Sequence, residues 1–429
     1  MLDFELHDKF KVRIKIPQAE FNVNDLVSCC KSLSKSLVQS FFEKILYELQ
    51  AHILNHYLGA VWNSNNSIPT PWECPRCRNR IAFNRRGKRK RSLKSSVGIL
   101  CFHLLQVTCL DCEKTFSPFP LLLGIESRHR LTKELEQFLC TVVKDNSYSK
   151  TAKAFNLLLG LDLSPTTVHR TVQKHGQEVE VIEDLSQITH LQTDSTRINA
   201  SANERGISVH FAISVGGSYQ KGKRTIRQIT LACVQVAKSP EKIKTLLDRS
   251  KIDQITVDGL SGLEGYISKN QLPVNVQRCL WHIPRTAKHM LYLDGMSTPQ
   301  AREFVKPMNK FLFNESLSVD RRVKKYNKLI EKCKVYNLTS TNSFLENAKE
   351  HLFTYKQFAE KDLHGRTNSV IERQMREVNR RMENGSRWTE KGAQNLLNLK
   401  FIEELNPESY DYLWKLRKKH KSEFSVILC

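Results

Sequence analysis

At 429 residues the chain exceeds one small domain, and length alone predicts about two to four folded units. Hydrophobic residues at 40% and charged residues at 26% exclude a disordered or fibrous chain and match a globular protein. Lys+Arg number 67 against 44 Asp+Glu, and the resulting +23 favours a polyanionic partner, because each neutralised phosphate releases condensed counterions.

Residues 1–17 alternate loosely and predict a strand, without the apolar stretch that opens a secretory leader. From Asn24 to Tyr57, Val27, Leu33, Leu37, Phe41, Ile45, Leu49 and Ile53 recur at helical spacing, predicting an amphipathic helix or helix pair. The polar, proline-punctuated Asn63–Pro71 reads as a linker closing an N-terminal region over 1–62. No run approaches the roughly 18 apolar residues of a spanning helix, so no membrane association is expected.

The 12 cysteines are scattered, which favours a reducing cytoplasm and a metal role for paired CxxC motifs. Cys74-Pro-Arg-Cys77 and Cys109-Leu-Asp-Cys112, 31 residues apart, form two such pairs within a module at 72–120. Two CxxC turns can present four thiolates tetrahedrally, so a zinc ribbon holding structural Zn²⁺ is expected. A redox dithiol is the alternative, and Cys101 and His103 lie in the spacer as substitute ligands. The spacer carries Arg85, Arg86, Lys88, Arg89, Lys90 and Arg91, six cations in seven positions suited to phosphates.

Residues 130–178 read as a helix-turn-helix module built from Leu131–Val143, Ser149–Leu158 and Ser164–His175. Ser149 and Ser164 are predicted N-caps, and Pro165 suits a first helical position. The last helix would offer Thr166, Thr167, His169, Arg170 and Gln173 to a DNA groove, although any small three-helix unit looks similar.

Beyond residue 186 the pattern turns to short β-branched runs at Ile188–Thr193, Ile207–Val215, Arg227–Val236, Gln254–Val257 and Val274–Arg278, with a helix at Pro240–Asp248. The first and fourth runs each lead into an aspartate, Asp194 and Asp258, expected on the rim of a sheet. Gly259 would let the chain turn sharply after the second. Residues 299–362 read as a helical insertion. Thr367–Arg381 follows as a helix placing Asn368 and Glu372 on one face, with Arg373, Arg376, Arg380 and Arg381 around it. Three carboxylates from two strand ends and a helix suit a pair of hard divalent cations. The element order over 186–405 matches an α/β, RNase H-like mixed-sheet core with a helical insertion, followed by a tail at 406–429. Cys279 and His282 form a CxxH pair with too few ligands for a closed zinc site. They are expected to pack against the acids or to contact DNA.

Asp194, the VDGL containing Asp258, QRCLWHIPR with its CxxH, TNSVIERQMREVNRR with Glu372, and the later Trp388 together resemble the DDE transposases of the Mutator-like superfamily, which includes many bacterial insertion-sequence transposases. The spacings, 64 residues from Asp194 to Asp258 and 114 on to Glu372, are specific in combination. The resemblance implies DNA strand cleavage and transfer at Asp194, Asp258 and Glu372 holding two Mg²⁺ (or Mn²⁺) ions. It also implies supporting roles for Asn368, Cys279, His282 and Trp388. Expected partners are double-stranded DNA, as terminal inverted repeats and target, and further copies of the chain, in a prokaryotic, nucleoid-associated setting. A zinc-containing DNA-binding regulator, a catalytically silent domesticated transposase and a structure-specific nuclease are the competing readings.

Overall fold

The computed structural model describes residues 23–59, 69–122, 125, 129–179, 188–201, 206–221, 224–249, 251–259, 262–361, 365–382 and 387–418. The strand expected over 1–17, most of the 63–71 linker and the end of the C-terminal tail lie outside these residues. Two compact units divide the chain, one running to Thr171 and taking in the segment from Tyr412, the other spanning Val172–Asp411.

The first unit opens with a single long helix, α1 (Val23–Leu58), where a helix or helix pair was expected. A three-stranded antiparallel ribbon follows: β1 (Phe83–Ser95), β2 (Gly98–Cys109) and the short β3 (Thr115–Phe116). Leu46, Leu54 and Leu58 of α1 join Trp72, Phe83, Phe102 and Val107 in one buried cluster. Two glutamines of α1 close the open edge of β2. Gln50 donates to His103 O at 2.9 Å and accepts from Leu105 N at 2.9 Å, and Gln39 accepts from Cys101 N at 2.8 Å. Backbone groups that would otherwise invite a foreign strand are thereby satisfied. After α2 (Phe119–Leu122) come α3 (Lys133–Val143), α4 (Tyr148–Leu159) and α5 (Pro165–Gln177), the unit boundary falling within α5. The cap of α4 is Ser147, whose hydroxyl accepts from Lys150 N, and not Ser149, which lies inside the helix. Ser164 caps α5 as expected, accepting from Thr167 N at 3.1 Å.

The second unit centres on a five-stranded mixed sheet built from β4 (His190–Ile198), β5 (Ile207–Lys221), β6 (Arg224–Val236), β7 (Gln254–Val257) and β8 (Asn275–Arg278). The strand order is β6-β5-β4-β7-β8, with β4, β5 and β6 antiparallel and β7 and β8 parallel to β4. Parallel strands need crossovers, and α6 (Glu241–Arg249) and α7 (Leu263–Lys269) lie in them. Four helices, α8 (His282–Leu293), α9 (Thr298–Leu312), α10 (Val319–Val335) and α11 (Thr339–Lys349), share a core of their own around Phe304, Met308, Tyr326 and Leu345. A 3-10 turn (Thr354–Lys361) leads to α12 (Ser369–Met382), α13 (Glu390–Leu405) and α14 (Pro407–Lys418). Gln394 of α13 accepts from Val236 N at 2.7 Å and donates to Val234 O at 3.0 Å, closing the outer edge of β6 as Gln50 closes β2.

Candidate active site and metal centre

Register alone brings the first two acids together. Gln192 of β4 faces Thr256 of β7 in the last parallel pair, and Asp194 and Asp258 each lie two residues further on. Neighbouring strands run about 4.8 Å apart and side chains repeat every second residue, so the two carboxylates emerge side by side. Asp258 follows the end of β7 as expected. Asp194 does not end its strand: β4 continues to Ile198 by pairing with β5, Asp194 opposite Phe211. The rim at Asp194 arises because β7 stops, not because β4 does. Gly259 adopts φ +87° directly after Asp258, and a Cβ there would run into the Arg278 guanidinium.

The start of α12 is tied to the same spot. Asn368, fully buried, donates from Nδ2 to Thr193 O at 2.8 Å, the carbonyl immediately before Asp194. Gln192 Nε2 donates to Thr367 O at 3.2 Å, and Thr196 Oγ1 donates to Asn379 Oδ1 at 3.0 Å one helical face further along. Glu372, one turn into α12, thus arrives beside the aspartates. The Asp194 carboxyl is pushed up to about 7 by its burial and by the negative charges of Asp258 and Glu372, against the opposing pull of the Ser195 amide and Arg285. Asp258 and Glu372 are near enough to repel the Asp194 charge in a partly dry site, although the oxygens of the three carboxylates do not all lie within 4.8 Å of one another.

The CxxH element joins this cluster. Asn368 N donates to Cys279 Sγ at 3.2 Å, and His282 Nε2 stands 3.5 Å from Glu372 Oε1. Cys279 is buried, which pushes its thiol up to about 11. Trp388, expected in a supporting role, is buried 6 residues beyond Met382, donates from Nε1 to Met382 O at 3.1 Å, and bonds through its backbone with Asn199 and Ser201. Arg381 is a correction: it is buried against the Trp388 ring, 5.2 Å from its centroid, and does not face outward with its neighbours. Arg373, Arg376 and Arg380 are exposed, Arg380 pairing with Glu377 at 2.7 Å.

In the first unit the Cys74, Cys77, Cys109 and Cys112 sulfurs converge, Cys74 with Cys112 and Cys77 with Cys109 each at 3.5 Å. Sulfurs on tetrahedral zinc sit about 3.7 Å apart, so the donors suit that ion. Burial opposes ionisation of Cys74, yet the amides of Cys77 and Arg76 bring its thiol down to about 7. The substitute ligands are displaced from this centre. His103 pairs with Glu43 at 2.8 Å and the Cys101 amide bonds to Gln39, because both stand on the β2 edge covered by α1. Of the basic run on β1, Arg86, Lys88, Arg89 and Lys90 are exposed. Arg85 instead donates to Asn55 Oδ1 at 2.6 Å and Arg91 to His129 O at 2.9 Å.

On α5, Thr166, His169 and Arg170 are exposed, and Thr167 is half-buried with its hydroxyl on Ser164. Gln173 is a correction: its side chain bonds to Asn395 Nδ2 at 2.8 Å and belongs to the packing of α5 on α13, not to a free face. Two groups at the acid cluster were not singled out from sequence. Arg285 sits in the quoted CxxH stretch, three residues past His282, where helical spacing was its only signal. The Ser195 amide carries no side-chain signal at all.

A family model described as "Transposase, Mutator family" matches residues 73–404. The chain belongs to the Mutator family of transposases. Among solved structures it is similar to the Drosophila P element transposase strand transfer complex at 13% identity, covering 70% of this chain and 84% of that one with a TM-score of 0.24. No curated protein matches. Among the described residues no helix is long and apolar enough to cross a membrane.

Proposed function

We propose that the chain is a DDE transposase that cleaves DNA at element ends and joins them to target DNA, with Asp194, Asp258 and Glu372 as its catalytic acids. The carrying observation is the two-residue offset of both aspartates beyond the last β4–β7 pair, with Glu372 close enough to raise the Asp194 carboxyl. A strand order of β6-β5-β4-β7-β8 with three antiparallel and two parallel strands supports reading the sheet as an RNase H-like core, α9–α11 lying in its helical insertion.

The oxygen donor set fits Mg²⁺ or Mn²⁺, since hard cations prefer carboxylates and would relieve the repulsion within the cluster. Asp194, Asp258 and Glu372 would hold two such ions. When bound, they supply Lewis-acid activation of the attacking oxygen and stabilise the leaving one. The chain's own part is positional: Asn368 anchors α12 to Thr193 O, fixing Glu372 against β4. Arg285, felt by Asp194, supplies a cation at the same place, and Arg373, Arg376 and Arg380 offer exposed charge to phosphates. The four-cysteine centre would hold structural Zn²⁺ in a ribbon whose exposed Arg86, Lys88, Arg89 and Lys90 touch the DNA backbone, with Thr166, His169 and Arg170 of a helix-turn-helix module at a groove. Work on paired element ends implies a dimer or larger assembly, in a cytoplasmic, nucleoid-associated setting.

The test is a joining assay with linear element ends and a supercoiled target in Mg²⁺. A transposase yields joined products; cleavage without joining points to a nuclease, and binding alone to a regulator.

A further inference from the structure

Cys279 lies in a turn built like the two turns of the cysteine ribbon. In each ribbon turn the amides two and three residues on aim at the first sulfur: Arg76 and Cys77 at Cys74, Asp111 and Cys112 at Cys109. The amides of Trp281 and His282 aim at Cys279 Sγ in the same way, and the Asn368 amide adds a third from α12. Such converging N–H groups, here at the N-terminus of α8, hydrogen-bond to the sulfur, although burial leaves this thiol raised overall. A simple buried thiol in a core needs none of them.

The turn also has a second and third donor. Cys279 Sγ, an imidazole nitrogen of His282 and a Glu372 carboxylate oxygen all lie within 4.8 Å of one another. Glu372 Oε1 is buried and meets only His282 Nε2, 3.5 Å away and without hydrogen-bond geometry, and the buried His282 Nδ1 has no hydrogen-bond partner. Tetrahedral zinc needs its donors about 3.3–3.8 Å apart, so binding would draw these side chains inward from their present spacing. Sulfur, nitrogen and oxygen from three residues, with a fourth position open, are the donors of a borderline-soft ion, not of magnesium.

We propose that Cys279, His282 and Glu372 form a further site for a Zn²⁺-class divalent cation, with Glu372 held in common with the acid cluster. Binding exchanges the thiol proton for the ion and releases that proton to solvent. Because Glu372 is shared, occupancy withdraws it from the acid cluster, so Zn²⁺ acts as an inhibitor at this site; that consequence alone rests on the magnesium reading above.

The probe is Co²⁺, added to full-length protein whose ribbon is already filled with Zn²⁺, in the absence of DNA and Mg²⁺. The wild type should show a near-ultraviolet thiolate-to-cobalt band and tetrahedral visible bands that saturate at a single further equivalent. Cys279→Ala should lose the thiolate band while keeping its circular dichroism. His282→Ala, which leaves the buried sulfur in place, should bind Co²⁺ at least about tenfold more weakly. Absence of the band in the wild type, its survival in Cys279→Ala, or unchanged affinity in His282→Ala would each overturn the proposal. Asp194→Ala should retain the band, so the cobalt site and the catalytic reading fail independently.

Discussion

Asp194 holds an uncomfortable charge. Its carboxyl ordinarily titrates near 3.8 and is raised to about 7 by burial and by its acidic neighbours. A raised acid pKa gives stability that is complete below about pH 4 and is lost as pH climbs through about 7. Metal-free Asp194→Asn should therefore be more stable than the wild type at pH 8, by on the order of 1 kcal/mol, with the gap narrowing at pH 5. Melting in EDTA at the two pH values measures this. Adding Mg²⁺ at pH 8 should raise the wild-type melting temperature and leave the variant unmoved. On the catalytic reading, Asp258→Ala and Glu372→Gln each lower strand cleavage by at least roughly 1000-fold while DNA retention in a gel shift stays near wild type. That these three acids come near one another was legible in the sequence, because the two aspartates follow apolar runs and Asn368 marks the helix. Arg381 and Gln173 were misjudged for one reason: periodicity places a residue on a helix face but does not say which neighbour covers that face. Trp388 and Asn395 do the covering.

At the scale of elements, the strands of the central sheet were readable, but the end of β4 was not. Its apolar alternation fades after Thr193, while pairing with β5 extends the strand to Ile198. Nor could sequence show that glutamines close sheet edges, since Gln39, Gln50 and Gln394 resemble any polar helix residues until their strands lie beside them. Close helix approach was equally hidden. Gly176 of α5 meets the Asn395 backbone so tightly that a Cβ would overlap its carbonyl. Gly176→Ala should cost about 1–3 kcal/mol in urea unfolding, because backbone cannot step aside as a side chain can. The ribbon offers a sharper test. Its buried cluster includes Cys74 and Cys109 themselves, so if they hold zinc as proposed, losing the ion would expose core as well as thiols. Strong chelation, or Cys109→Ser, should abolish the cooperative melting of the first unit and remove a tightly held zinc from elemental analysis.

For the whole molecule, on the transposase reading, a net charge of +23 would set the character of DNA binding more than any single contact. With Arg86, Lys88, Arg89, Lys90, Arg373 and Arg376 exposed, the logarithm of affinity should fall steeply with the logarithm of salt, with a slope of about −5 or steeper. Reversing Arg89 and Lys90 to Glu should flatten that slope without changing cleavage geometry. Metal occupancy at the three acids can be read directly from the polypeptide. Fe²⁺ bound in place of Mg²⁺, with ascorbate and peroxide, releases hydroxyl radicals that cut the backbone within a few ångströms of the ion. Cuts should cluster near Asp194, Asp258 and Glu372, be suppressed by excess Mg²⁺ and be lost in Asp194→Ala. Cuts confined to other segments, with these three left intact, would contradict a shared metal site at the acids.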